Sequence, residues 1–96
     1  MNAMDLVKNY LNEEGKVTFW PSKHKKKEAV LLYLAAKFEC GRDYTEKEIN
    51  EIIDAWHTFG DYFLLRRELV DHKLLSRTPN GARYWKEEQK ESGADL

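Results

Sequence analysis

"CGRDYTEKEINEIIDAWH", residues 40–57, carries the clearest structural signals in the chain. Thr45 and Glu48 form a capping-box pattern, in which each side chain pairs with a backbone N–H of the first helical turn. After this box, apolar side chains recur at the spacing i, i+3, i+4, i+7, which predicts a helix with one buried face. These side chains are Ile49, Ile52, Ile53 and Trp56. Before the box, Asp43 and Tyr44 predict a short strand.

Downstream of this helix, the sequence predicts a second helix and a β-hairpin. The segment HTFG contains Gly60 and predicts a tight turn. Asp61 is a suitable cap for a helix from Tyr62 to about His72. Pro-Asn-Gly, residues 79–81, separates the strand-like runs LLSRT and ARYWK, which is a hairpin signal. Two helices joined by a short turn and followed by a hairpin predict a winged-helix arrangement.

Upstream, three further segments have recognisable patterns. DLVKNYLNEEG has the spacing of a short amphipathic helix that Gly15 ends, and KVTFWP predicts an extended segment that Pro21 ends. A stronger helix is expected from about Lys23 to Phe38, with Ser22 as its N-cap. Its predicted buried stripe is Val30, Leu31, Leu34 and Phe38.

Together these elements predict an α+β fold that is winged helix-turn-helix-like, mainly helical, with a small antiparallel hairpin as its wing. Residues 1–22 are expected to form an N-terminal helical and extended arm, and residues 23–86 the winged-helix-like domain. Residues 87–96 are expected to be an acidic, disordered tail. The 96 residues suit one compact domain rather than two.

The composition limits the classes of function. A net charge of −1 gives no general attraction to nucleic acid or anionic membrane, and a generic polyanion binder is more basic. The charge is segregated, since residues 16–27 hold five lysines and no acid, so local patches matter more than the total. Cys40 is alone, which excludes an internal disulfide framework. No apolar run approaches the ~20 residues of a membrane span, and the start lacks the pattern of a signal peptide. We therefore expect a cytoplasmic protein with no membrane partner.

Three motifs resemble a known bacterial family. They are YTEKEIN at residues 44–50, LRRELVD at residues 65–71 and GARYW at residues 81–85. With the sequence around them, from about Gly15 to Lys86, they resemble the family called domain of unknown function 2087. Members of that family occur alone or attached to bacterial winged-helix regulators. The resemblance therefore implies a regulatory context and supplies no catalytic residues.

Two basic segments are candidates for contact with an anion such as a DNA backbone. In PSKHKKKEAV, residues 21–30, lysines lie at the start of a predicted helix, whose N-terminal N–H groups also attract anions. Arg77, Arg83 and Lys86 lie on or beside the hairpin, with Tyr84 and Trp85 between the last two. For both segments the alternative is an ordinary solvated face. We hypothesise that the two segments meet in one patch of the folded chain.

The helix that follows Asp61 carries two adjacent arginines with different environments. Its helical projection places Arg66 within the apolar arc and Arg67 on the outward face beside two acids, which weakens base reading by this helix. A buried arginine needs a partner, so we expect Arg66 to form a structural ion pair. The candidate partners are Glu48, Glu51 and Asp54. The alternative is that Arg66 holds a carboxylate or phosphate ligand in a fork.

These patterns predict a bacterial transcription-regulatory module that binds duplex DNA weakly through its backbone. The expected phosphate contacts are Lys25, Lys26, Arg67, Arg77, Arg83 and Lys86. The alternative is a protein-interaction or dimerisation module without DNA binding, whose partner is a regulatory protein or a second copy of the chain. Surface exposure of aromatic residues supports that alternative, and the candidates are Trp20, Phe59 and Tyr62 with Leu64. A third class is a small-ligand sensor that uses Arg66.

Catalytic and metal-binding patterns are weak. There is no phosphate-binding glycine loop and no nucleophile motif. Glu51, Asp54 and His57 follow one another at i, i+3, i+6, but no second cluster completes a metal site. We therefore expect no enzyme activity, no metal and no cofactor.

Overall fold

The computed structural model describes residues 3–87, which form four α-helices, one 3-10 helix and three short strands. In chain order the elements are α1 Ala3–Val7, a 3-10 helix at Lys8–Tyr10, α2 His24–Ala35, β1 Asp43–Tyr44, α3 Glu46–Ala55, α4 Tyr62–Asp71, β2 Ser76–Arg77 and β3 Tyr84–Trp85. The α+β prediction is confirmed, and the order helix, strand, two helices and hairpin is consistent with a winged helix. The predicted acidic tail lies outside the described residues, apart from its first residue.

Capping side chains set where α3 and α4 begin. Thr45 Oγ1 accepts the Glu48 N–H at 3.1 Å, and Glu48 Oε1 accepts the Thr45 N–H at 2.8 Å, which confirms the capping box. At the start of α4, Asp61 Oδ1 accepts the Leu64 N–H at 3.2 Å. Caps of this kind each stabilise a protein by about 0.5–2 kcal/mol. Both helix starts are therefore set by contacts within a few residues.

The predicted ends of α2 differ from the structure. The N-cap of α2 is Lys23, and no side chain caps this end, so the prediction that Ser22 caps it was wrong. The helix begins one residue too late for the Ser22 hydroxyl to serve the first turn. It also ends at Ala35 rather than Phe38, although Phe38 is still buried.

The N-terminal arm shares the core with the rest of the fold. Its helical part ends at Tyr10 rather than at Gly15, whose positive φ of 80° turns the chain so that Leu11 pairs with Val17. Val17 also forms a parallel bridge to His57, just after α3. The arm is held to α2 by the Tyr33 hydroxyl, which donates to the Gly15 carbonyl at 2.6 Å.

The three strands form an antiparallel sheet in the order β1-β3-β2. Tyr84 in the central strand is paired with Tyr44 on one side and with Arg77 on the other. Directly paired residues share a face of the sheet, and successive residues alternate between faces. Tyr44 and Tyr84 are buried, so this face is turned toward the core. Trp85 and its partner Asp43 therefore lie on the outer face.

Apolar stripes of α2, α3 and α4 fill the core between the arm and the sheet. The buried helix residues include Val30, Leu31, Leu34, Ile49, Ile53, Leu65 and Leu69. Ile52 and Trp56 pack against this cluster from its edge. Among residues 3–87, no helix has the length and apolar character needed to cross a membrane.

A buried histidine joins the end of α3 to the start of α4. His57 is 4% exposed, its Nδ1 lies 2.8 Å from the Ile53 carbonyl oxygen, and its Nε2 accepts the Asp61 N–H at 2.9 Å. A carbonyl only accepts and an N–H only donates, so the ring is neutral with its proton on Nδ1. Both nitrogens are occupied by the backbone, which gives His57 a structural role in the turn.

We predict that His57→Phe lowers the free energy of unfolding by about 2 kcal/mol, because the Ile53 carbonyl and the Asp61 N–H lose their partner. The control is His24→Phe, the same substitution at a ring that is 74% exposed. This control should change the stability by less than about 0.5 kcal/mol. Urea unfolding followed by tryptophan fluorescence measures both. A His57→Phe protein as stable as the wild type would show that these hydrogen bonds do not hold the turn.

Candidate nucleic-acid interface

A cleft of about 520 Å³ separates α4 from the β2–β3 hairpin. Its charged lining residues are Arg66, Arg67, Arg77, Glu46 and Asp71. The remaining lining includes the rings of Phe63 and Tyr84 and the hairpin turn at residues 79–81. Three guanidinium groups against two carboxylates make this cleft suitable for an anion, and two of the predicted phosphate contacts meet in it.

Arg66 lies where the cleft meets α3, and its side chain is 12% exposed. Its Nη2 is 3.1 Å from Glu46 Oε2, and its Nη1 donates to Asn50 Oδ1. These contacts compensate the burial of the guanidinium charge. The guanidinium also lies 5.2 Å from the centre of the Phe63 ring.

The ion pair of Arg66 differs from the predicted one in its partner. Glu48 is engaged in the capping box, and Glu51 and Asp54 are exposed. Instead, the side of α3 that meets Arg66 presents residues 46 and 50, which are one turn apart on the same face. The prediction of Glu48, Glu51 or Asp54 as partner was therefore wrong.

The cleft is lined by Arg67 from the outward side of α4 and by Arg77 from the hairpin. The Arg67 side chain is 70% exposed, and its Nε lies 3.9 Å from Asp71 Oδ2, a weak solvent-exposed pair. Arg77 pairs with no acid among the described residues, and its Nη1 reaches the Thr78 and Pro79 carbonyls only at 3.4 Å. Both guanidinium groups keep donors available for an anion.

Arg83 lies on the other face of the sheet. It precedes Tyr84 in the strand direction, so strand alternation places it on the side of Trp85 and Asp43. Its Nη1 is 3.6 Å from Asp43 Oδ2, and its guanidinium lies 4.9 Å from the Trp85 ring centre. Arg83 therefore does not share the cleft with Arg77, although both belong to the hairpin.

Lys86 has a structural partner at the C-terminal end of α2. Its Nζ donates to the carbonyl oxygens of Ala35 at 2.8 Å and Phe38 at 3.4 Å. A cation at this position satisfies carbonyls that lack helical partners and interacts favourably with the helix dipole. Lys86 thus fastens the end of the hairpin to α2.

The lysine run lies at the other end of α2. Because the helix has 12 residues, its ends are about 18 Å apart. Lys25 and Lys26 pair with no acid among residues 3–87, so their ammonium groups remain available to an anion. The neighbouring His24 ring lies 6.0 Å from the His72 ring, which places this end of α2 beside the C-terminal end of α4.

The predicted cations do not form one continuous patch. Arg67 and Arg77 share the cleft, Arg83 lies across the sheet and Lys86 lies at the far end of α2 from Lys25. The hypothesis of a single patch was wrong for Arg83 and Lys86, because strand alternation and helix length separate them. The phosphate contacts themselves stay predictions.

Sequence reasoning missed a polar group in the cleft, the hydroxyl of Tyr84. This residue is 3% exposed and lines the cleft, yet its hydroxyl makes no hydrogen bond to any residue in the described range 3–87. The other buried tyrosine, Tyr44, accepts the Glu39 N–H at 2.8 Å. Alternation in RYW shows that Tyr84 and its neighbours face opposite ways, but it does not show which side holds the cleft.

The exposed aromatic residues also differ from the predicted set. Trp20 and Phe59 pack against the core, whereas Tyr62 is 39% exposed and Phe63 is 57% exposed. Tyr62 and Phe63 are adjacent at the start of α4, and Phe63 lines the cleft. The sequence did not single out Phe63.

Glu51, Asp54 and His57 do not converge as metal ligands. Both nitrogens of His57 contact the backbone, and Glu51 and Asp54 are exposed on the helix. Within the described part of the chain, no group of three or more His, Cys, Asp or Glu side chains could hold a metal ion.

One protein-family model matches residues 16–86, and its description is "Uncharacterized protein conserved in bacteria (DUF2087)". The match agrees with the resemblance carried by the three motifs and spans α2 through β3. No curated protein and no solved structure matches the chain.

We predict that Lys86→Met lowers the free energy of unfolding by about 1 kcal/mol, because the Ala35 and Phe38 carbonyls lose a charged donor while the side-chain stem is kept. Lys25→Met removes the same charge at an exposed position and should change stability by less than about 0.5 kcal/mol. Thermal unfolding followed by circular dichroism compares the two. Equal stabilities would show that Lys86 does not fasten the hairpin to α2.

Proposed function

We propose that this chain, which belongs to the bacterial DUF2087 family of uncharacterised proteins, is a regulatory module that binds duplex DNA weakly through its phosphate backbone. The observation that carries the proposal is the convergence of Arg67 from α4 and Arg77 from the wing on one cleft. Helix-turn-helix proteins apply the second helix of the pair to the duplex, and in this proposal α4 takes that part. In this proposal, the two guanidinium groups contact phosphate oxygens.

The charges around the cleft support backbone contact rather than base reading. Asp71 lies on the same outward side of α4 as Arg67, and repulsion between its carboxylate and the phosphates opposes insertion of α4 into a groove, where bases are read. Phosphate contacts position a protein on DNA without specifying sequence. Each contact adds about 0.9 to the slope of log affinity against log salt, so two contacts give a slope of about 2. Lys25 and Lys26 have free ammonium groups for further contacts outside the cleft.

A second candidate function has one specific observation in its favour. Tyr62 and Phe63 expose adjacent rings beside the cleft, and aromatic residues are enriched where proteins dock on one another. Arg66, Arg67 and Arg83 each lie within 4 Å of a carboxylate, which suits a mixed-charge protein surface. A protein-interaction or dimerisation module is therefore the alternative.

The decisive variants each remove one positive charge, either at the cleft or on the opposite face of the hairpin. In fluorescence anisotropy with a labelled arbitrary duplex, we expect wild-type binding to weaken steeply between about 50 mM and about 200 mM salt. Arg67→Gln and Arg77→Gln should each weaken binding and reduce the salt slope by about 0.9. Arg83→Gln makes the same change in net charge outside the cleft. The sequence also predicted a phosphate contact for Arg83, but a proposal centred on the cleft expects this variant to leave the slope nearly unchanged.

Two results would contradict the proposal. Equal losses for Arg77→Gln and Arg83→Gln would show that net charge, and not the cleft, drives association. No binding at low salt would refute DNA binding by this chain. In that case native mass spectrometry of the wild type and Phe63→Ser tests the alternative, since a dimer that the substitution dissociates would place the protein interface at the start of α4.

A further inference from the structure

We propose that the cleft contains a seat for one phosphate group, formed by the Tyr84 hydroxyl, the Arg77 guanidinium and the Asn80 side-chain amide. The inference deepens the proposed function, on which it rests for DNA as the source of the phosphate. A free phosphate ester presents the same chemical group. Tyr84 and Asn80 are uncharged and lie outside the set of cations that the sequence singled out.

The hydroxyl of Tyr84 has no hydrogen-bond partner among residues 3–87, although the residue is only 3% exposed. Polar groups at such depth in proteins normally have a hydrogen-bond partner. Every fully buried side-chain nitrogen or oxygen of the described chain does have one, so the Tyr84 oxygen still reaches the solvent of the cleft. It is a donor that a ligand can use.

Arg77 lies on the same face of the sheet as that hydroxyl. Arg77 and Tyr84 are direct partners across the β2–β3 pair, so their side chains leave the sheet on the same face. Arg77 Nη1 and Tyr84 Oη lie 3.8 Å and 3.9 Å from the point where a Cβ would stand on Gly81. The two donors therefore flank a common space, which stays open because residue 81 has no side chain.

The hairpin turn is already ordered by its own hydrogen bonds. Thr78 Oγ1 donates to Asn80 Oδ1 at 2.8 Å, and Asn80 Oδ1 also accepts the Ala82 N–H at 3.0 Å. These contacts assign the amide oxygen to the turn and leave the Asn80 amide N–H groups as donors. The seat needs little reorganisation to receive a ligand, since its turn is fixed beforehand.

The chemistry of these groups selects an oxyanion with several acceptors. The phenol, the guanidinium and the amide all have hydrogen-bond donors to offer, and a phosphate group supplies enough oxygens for all three. Two carboxylates also line the cleft, but Glu46 is paired with Arg66 at 3.1 Å and Asp71 lies 3.9 Å from Arg67. Arg77 pairs with no carboxylate in the described range, so the charge beside Tyr84 is positive.

The test is an NMR titration with inorganic phosphate at constant ionic strength, with chloride as the replaced anion. We expect saturable shifts of the Asn80, Gly81 and Tyr84 amide signals. Tyr84→Phe should weaken phosphate binding about tenfold, because it removes one hydrogen bond to a charged acceptor. Its thermal midpoint should stay at the wild-type value, since the missing hydroxyl has no protein partner. Tyr44→Phe is the matched control: it should lower the midpoint through loss of the Glu39 contact and leave phosphate affinity unchanged.

The same variants on duplex DNA separate the two proposals. If DNA binding depends on Arg77 but Tyr84→Phe binds both DNA and phosphate as tightly as the wild type, the seat is refuted and the proposed function stands. A different result is that phosphate binds in the cleft, Tyr84→Phe weakens this phosphate binding, and DNA does not bind. The seat then stands, and its ligand is a free phosphate ester. Phosphate shifts no larger at the cleft than at Lys25 and Arg83 would overturn the seat.

Discussion

The pairing of Tyr84 in the middle of the sheet is the constraint on which the functional surface depends. Because its two neighbours are Tyr44 and Arg77, one register joins α3, through β1, to the hairpin. A slip by one residue would reverse every side chain in β3. It would send the Tyr84 ring to the outer face and turn Arg83 toward the cleft. The register therefore decides which hairpin cation faces α4.

The packing of the elements also decides which cations make structural contacts and which stay available to a ligand. Lys86 holds the carbonyls at the end of α2, Arg66 joins α3 to α4, and Arg83 pairs with Asp43. These side chains stabilise contacts between elements, so their charges are already used within the fold. Of the cations predicted to contact phosphate, Arg67 and Arg77 at the cleft and Lys25 and Lys26 at the start of α2 are not engaged in holding elements together. So small a set of phosphate contacts suits weak association rather than tight polyanion binding.

The proposed DNA contact and the phosphate seat use the same cleft, but for ligands of different size. In these proposals, a phosphate of a DNA duplex contacts the opening of the cleft. A free phosphate ester is small enough to enter as far as the Tyr84 hydroxyl. A ligand of the second kind would compete with the first for Arg77, so occupancy by a small phosphate ester would weaken a DNA contact made there. The exposed Tyr62 and Phe63 rings flank this site, and a protein partner docked on them would cover it as well.

Local sequence determined the elements of this protein, and tertiary structure decided its surface. Thr45 with Glu48, Asp61 and the Pro-Asn-Gly turn act through contacts within a few residues, so the starts of α3 and α4 and the hairpin were predictable from those residues alone. The partner of Arg66 was not, because helical periodicity shows which side of one helix is buried but not which residues of the next helix it meets. The cleft was not predictable either. It exists because the strand register sets Tyr84 beside Arg77 and because α4 packs next to that pair, and both depend on residues far apart in the chain.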